Sequence, residues 1–176
     1  FDTSFGTNGF LSGNASSAVM HAVAKDSNYL YAVGSSVDTR WRIEKRTLAT
    51  GTLDVAFGSS GIVTSNASSD AAYDIALDAG AGRMYVVGTC ADNLFCVEKR
   101  LLTTGALDNS FGTNGIVHGS STSAFPTTIA IDASYAYVAG TINLDQWGIE
   151  KYSLTNGALD TSFGQGGVVT EGLTTV

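Results

Sequence analysis

A nine-residue phrase recurs four times along the chain: FDTSFGTNG from Phe1, LDVAFGSSG from Leu53, LDNSFGTNG from Leu107 and LDTSFGQGG from Leu159. Its central phenylalanines are Phe5, Phe57, Phe111 and Phe163, spaced 52, 54 and 52 residues apart. Self-similarity at such a period marks one supersecondary unit copied in tandem, each copy burying its apolar face against the next. The chain therefore reads as a single repeat domain, 1–176. Aligned on the phenylalanines, repeat 1 spans 5–56, repeat 2 spans 57–110 and repeat 3 spans 111–162, with a partial repeat 4 at 163–176.

Every full unit holds four short apolar stretches. They are separated by Asp, Ser, Asn and Gly, which cap turns through a side chain or accept φ > 0. The first stretch follows the phrase (10–11, 62–63, 116–117, and 168–169 in the partial unit). The second ends in Val23-Ala24-Lys25-Asp26, Ile75-Ala76-Leu77-Asp78 and Ile129-Ala130-Ile131-Asp132. The third covers 29–34, 84–88 and 135–140, and the fourth covers 41–48, 95–102 and 147–154. A two-residue insertion in repeat 2 falls in the turn Ala79-Gly80-Ala81-Gly82, where length changes are tolerated. No stretch keeps a helical period over the 11 or so residues a helix requires. Four antiparallel strands per roughly 50 residues is the blade of a β-propeller. The expected fold is all-β: a propeller-like array of three four-stranded antiparallel blades plus an extra C-terminal strand. The competing architecture is an open β-array or solenoid.

The phrase itself reads as structure. Asp54 and Asp108 would cap the following turn, Phe57 and Phe111 would plug the seam between blades, and Gly58, Gly61, Gly112 and Gly115 would permit a tight reversal. A calcium loop on Asp2, Asp54, Asp108 and Asp160 is the weaker reading, because one carboxylate per loop is a poor set for an ion that takes six to eight oxygens. Taken together, the pattern LDxSFGxxGΦV, then ΦAΦD, YΦYΦΦG and W-x-Φ-E-K followed by L-x-x-G-x-LD (Φ apolar) resembles the delta-60 repeat family of bacterial and archaeal β-propeller-like proteins. The resemblance covers essentially the whole chain. It implies a propeller-type fold and an extracellular setting, and it carries no catalytic residues to transfer.

Charged residues make up only 14% of the chain, so the surface is solvated largely by hydroxyls and backbone, a pattern that suits secreted or surface-displayed β-proteins. The net charge of −7, with only four lysines, excludes a nucleic-acid footprint and disfavours anionic membranes as partners. No apolar run reaches the 18 or so residues of a spanning helix, so membrane insertion is not expected. The chain begins inside a repeat phrase, which points to a mature or excised product. Cys90 and Cys96 occur in one repeat alone; Ser36 and Arg42, then Ile142 and Gly148, hold the matching positions. They flank a hairpin loop, which leaves two readings open: a cross-strand disulfide, or two buried free thiols.

Glu44-Lys45, Glu98-Lys99 and Glu150-Lys151 recur in the fourth stretch. Neighbouring strand residues point to opposite faces, so the two members of each pair cannot share a substrate. The expectation is interblade ion pairs, Glu of one unit to Lys of the next. Trp41, Phe95 and Trp147 are equivalent aromatics, read as core or as a rim for stacking on sugar rings. Asn14-Ala15-Ser16 and Asn66-Ala67-Ser68 are glycosylation sequons at matching positions, and also ordinary turn material. No nucleophile elbow, phosphate loop, histidine cluster or paired carboxylate appears, so no catalytic residue, metal or cofactor is expected.

Propellers use about four to eight blades, so three would leave open faces. Two copies could close a six-bladed dimer, the chain could belong to a longer protein, or head-to-tail contacts could build a filament. The expected function is a non-enzymatic extracellular or cell-surface structural protein, a homo-oligomer joined through its C-terminal strand. The alternative is a glycan- or protein-binding propeller module.

Overall fold

The computed structural model describes residues 2–12, 18–65, 71–122 and 124–170, which contain twelve strands and no helix. The first sheet comprises β1 (Val19–Lys25), β2 (Tyr29–Ser35), β3 (Trp41–Thr47) and β4 (Ile62–Thr64). The second comprises β5 (Ala72–Asp78), β6 (Arg83–Thr89), β7 (Phe95–Leu101) and β8 (Ile116–His118). The third comprises β9 (Phe125–Ile131), β10 (Tyr135–Ile142), β11 (Gln146–Ser153) and β12 (Val168–Thr170). In each sheet the strands lie in chain order and pair antiparallel throughout. The protein is thus all-β with three repeated four-stranded sheets, and these do not close on themselves.

The sheets straddle the repeat boundaries, and this corrects one expectation. The stretch after each phrase does not open its own unit. It closes the sheet before: Val63 lies opposite Ile43, Val117 opposite Val97 and Val169 opposite Ile149. The phrase explains why. After β3 the chain turns tightly, and the Asp54 N–H bonds back to the Lys45 carbonyl at 2.9 Å. Gly58 and Gly61, at φ +56° and +92°, then reverse the chain a second time and bring Ile62 alongside the free edge of β3. A non-glycine residue is strained at such angles, which is why the phrase keeps both glycines. Residues 168–170 are therefore the fourth strand of the third sheet and not an extra C-terminal strand. The matching residues of the first phrase, 10–12, lie outside the three sheets.

The sheets pack face against face. Tyr31, Val33, Trp41, Ile43 and Phe57 meet Ile75, Met84, Val86 and the two cysteines between the first and second sheets. Tyr85, Val87, Phe95, Val97 and Phe111 meet Ile129, Ala136, Val138 and Ile142 between the second and third. The leading strands β1, β5 and β9 contact one another in turn. Asp74 fastens two of them, accepting from the Ile129 N–H at 2.9 Å and the Thr128 hydroxyl at 2.8 Å. Phe57 and Phe111 do fill the seams: both are fully buried, each edge-on to a tyrosine, Tyr31 and Tyr85.

Candidate functional site

The recurring charged pairs sit at the seams but do not bond to each other, which corrects the expected interblade Glu–Lys bridges. Each lysine turns to the aspartate of its own phrase. Lys45 Nζ lies 2.8 Å from Asp54 and Lys151 Nζ 2.8 Å from Asp160. The reason is local: the phrase folds back along the third strand of its own sheet, so its aspartate is nearer than any residue of the next sheet. The same aspartates also cap the turn, as Asp108 does by accepting from the Ser110 N–H at 3.1 Å. The lysine ammonium groups stand over tyrosine rings, 3.9 Å from the centre of Tyr29 and 3.7 Å from that of Tyr135. In the middle sheet Arg83 replaces that tyrosine and takes Asp108 itself at 2.6 Å. Lys99 then sits 3.7 Å from Asp108 and donates to the Leu154 carbonyl of the third sheet at 2.9 Å.

Each glutamate is buried, and those of the second and third sheets look toward the sheet before. Glu98 accepts from Arg100 at 2.7 Å and from the Ser65 hydroxyl, which follows β4 of the first sheet. Glu150 accepts from the N–H groups of Ser120 and Ser121 at 3.1 and 2.9 Å, from both hydroxyls, and from Tyr152. Glu44, on the first sheet, is enclosed by Arg42 at 2.7 Å and Arg46 at 2.8 Å. The seams are therefore bridged by serine-to-glutamate hydrogen bonds. Sequence reasoning missed these serines because they stand in irregular segments; the visible signal is that Arg42 occurs only in the sheet that, among the described residues, has none before it. A buried carboxylate is tolerated when all its oxygens are hydrogen-bonded.

Cys90 and Cys96 form a disulfide across the β6–β7 hairpin, with a Cα–Cα separation of 5.1 Å. Cys90, Asp92 and His118 lie close enough together to bind a metal, but the Cys90 sulfur is committed to that bond. His118 Nδ1 pairs with Asp92 at 2.8 Å on the surface. The sequon asparagines Asn14 and Asn66 lie outside the described residues.

The stacking set divides. Trp41 and Phe95 are fully buried, which removes them as sugar platforms; a Cβ on Gly88 of the second sheet would come within 2.7 Å of Trp41 Cε2. Trp147, the third member, is 47% exposed. The other end shows the same contrast. Val23 is 63% exposed, whereas its counterparts Ile75 and Ile129 are each 6% exposed. Positions that the inner seams bury are thus more exposed on the two outer faces of the array. On the third sheet that face comprises Trp147 with half-buried Ile149 and Phe163; on the first it holds Met20 and Val23.

No protein-family model and no curated protein matches the chain. Among solved structures, the crystal structure of the computationally designed Ika8 protein is similar at 10% identity and a TM-score of 0.30, a likeness too slight to carry an argument. The match covers 83% of this chain and 62% of that one, so the chain spans less than two thirds of the designed protein.

Proposed function

We propose that this chain is a non-enzymatic, extracellular structural protein whose propeller-like sheets stack end to end with further copies of itself. The observation that carries the reading is Trp147, half exposed at a position where Trp41 and Phe95 are sealed by the next sheet. Covering a large apolar side chain gives roughly 1.5–3 kcal/mol, and the outer faces carry several. The third sheet's outer face and the first sheet's outer face correspond to the two sides of an inner seam, so the natural contact is head to tail. Such a contact closes a six-sheet ring if the rotation permits, and otherwise runs on as a filament. The disulfide suits an oxidising compartment, and the delta-60 resemblance points to the same extracellular setting.

Sedimentation across a concentration series, with electron microscopy of the same samples, tests this. The wild-type chain is expected to form oligomers or filaments, and Trp147→Glu to remain monomeric with unchanged circular dichroism. A wild type that stays monomeric at every concentration overturns the reading. A glycan array that lights up with the wild type and goes dark with Trp147→Glu would then assign that face to sugar binding.

A further inference from the structure

Each internal phrase serves two sheets. Its closing strand pairs with the sheet before, and its turn docks on the sheet after: the Gly58 N–H donates to the Thr104 carbonyl at 2.9 Å and Gly112 to Asn156 at 2.8 Å. The terminal phrases each do half. The first phrase docks on the first sheet, with Gly6 N–H bonded to the Thr50 carbonyl at 3.0 Å. Leu11 lies against Gly51 as Val63 lies against Gly105; a Cβ on either glycine would come within 2.5 Å of that side chain. Yet residues 10–12 belong to none of the three sheets, and Phe10 is 59% and Leu11 38% exposed. The fourth phrase does the reverse. Its strand β12 pairs with β11, while among the described residues no sheet follows for its turn.

A head-to-tail joint therefore has two phrases for one place: the fourth phrase of one copy and the first phrase of the next. We propose that copies join by strand exchange, residues 10–12 of one copy replacing β12 beside β11 of its neighbour. This rests on the self-association reading above. The phrase alignment fixes the register, since Phe10 stands five residues after Phe5 as Val168 does after Phe163. Phe10 then falls opposite Glu150, Leu11 opposite Ile149 and Ser12 opposite Gly148. The bridge Phe10 makes to Thr7 does not obstruct this, because Ile116 and Val168 keep the same bridge, to Thr113 and Gln165, while pairing in their sheets. β12 makes three residue pairs, as β4 and β8 do, but the bond leading into it, Lys151 N–H to the Gly167 carbonyl, is longer, 3.4 Å against 3.1 and 3.0 Å in the other sheets. An extended segment adding to a sheet edge draws affinity from main-chain bonds and specificity from alternate side chains.

The test is cross-linking of the full chain. Mixed single variants Leu11→Cys and Ile149→Cys, oxidised after assembly, should give disulfide-linked heterodimers, and the double variant a ladder. Truncation after residue 166, which clears the edge of β11, should shift the onset of assembly to lower concentration. If the wild type assembles but no heterodimer forms, or if truncation abolishes assembly in a folded protein, strand exchange is wrong while self-association stands. A wild type that never assembles removes both.

Discussion

The aspartate–lysine pair beside each seam is the residue-scale device that ties a phrase to its own sheet. Its charges are tuned by folding in opposite directions. The hydrogen bond from Lys151 holds the Asp160 carboxyl down, to about 2, and Asp160 in turn pushes the Lys151 ammonium up. Lys45 lowers Asp54 in the same way. Asp108 is held well below the usual carboxylate range, chiefly by Arg83. A carboxylate lowered by folding contributes stability above its unfolded pKa of about 3.9, and that contribution is lost as pH falls toward the folded value. A lysine raised by folding contributes below about 10.4, and its contribution is lost as pH rises beyond that. Melting temperature should therefore be flat from about pH 5 to 9, fall between about pH 4 and 2, and fall again above about pH 10. Asp108→Asn should flatten the acid limb by removing the most strongly lowered group. An acid limb unchanged by that substitution would show that these pairs do not couple protonation to folding.

At the scale of the element, the three hairpins that join second to third strands show one position solved in three ways. The second sheet uses the Cys90–Cys96 bond; the third lays Ile142 over Gly148, where a Cβ would come within 2.5 Å of Ile142 Cδ1. The first, whose outer face meets no other sheet among the described residues, has Ser36 and Arg42. The double substitution Cys90→Ile, Cys96→Gly should lose about 2–3 kcal/mol with the short closed loop but retain the apolar packing. Cys90→Ser, Cys96→Ser should lose about 1–3 kcal/mol more, because it buries hydroxyls in an apolar seam. Urea denaturation of the two variants checks this, and equal midpoints would sink the packing account. The hairpins were legible in the sequence because turn residues bracket each apolar run. The choice between disulfide and free thiols was not, since six-residue spacing is compatible with both. The partners of Glu98 and Glu150 were equally hidden: strand alternation says which face a side chain takes, but not what stands across the seam.

The whole molecule is a row of three sheets in which the middle one is covered on both faces and the outer two on one. A tandem repeat can be cut anywhere and read the same, so the sequence displays the period without displaying which strands share a sheet. Only the pairing of β4, β8 and β12 with the strand before each phrase decides it, and that pairing leaves residues 10–12 of the first phrase, rather than the C-terminal phrase, outside the three sheets. The consequence for stability is directional. Six of the seven residues of β7 are buried, while its counterpart β11 alternates between buried and partly exposed positions. In quasi-one-dimensional repeats, stability is a sum of unit terms and nearest-neighbour interfaces, and the middle unit has two interfaces. Amide exchange reports this unit by unit, because opening free energies run from near zero at frayed edges up to the global value in the core. In dilute monomer the slowest amides should lie in β6 and β7, with β2–β3 and β10–β11 exchanging faster. On assembly, protection should rise in β10 and β11 and in β1 and β2, and change little in β6 and β7. Uniform protection across the three sheets of the monomer would mean that they unfold as one body and that the seams, rather than the sheets, carry the cooperativity.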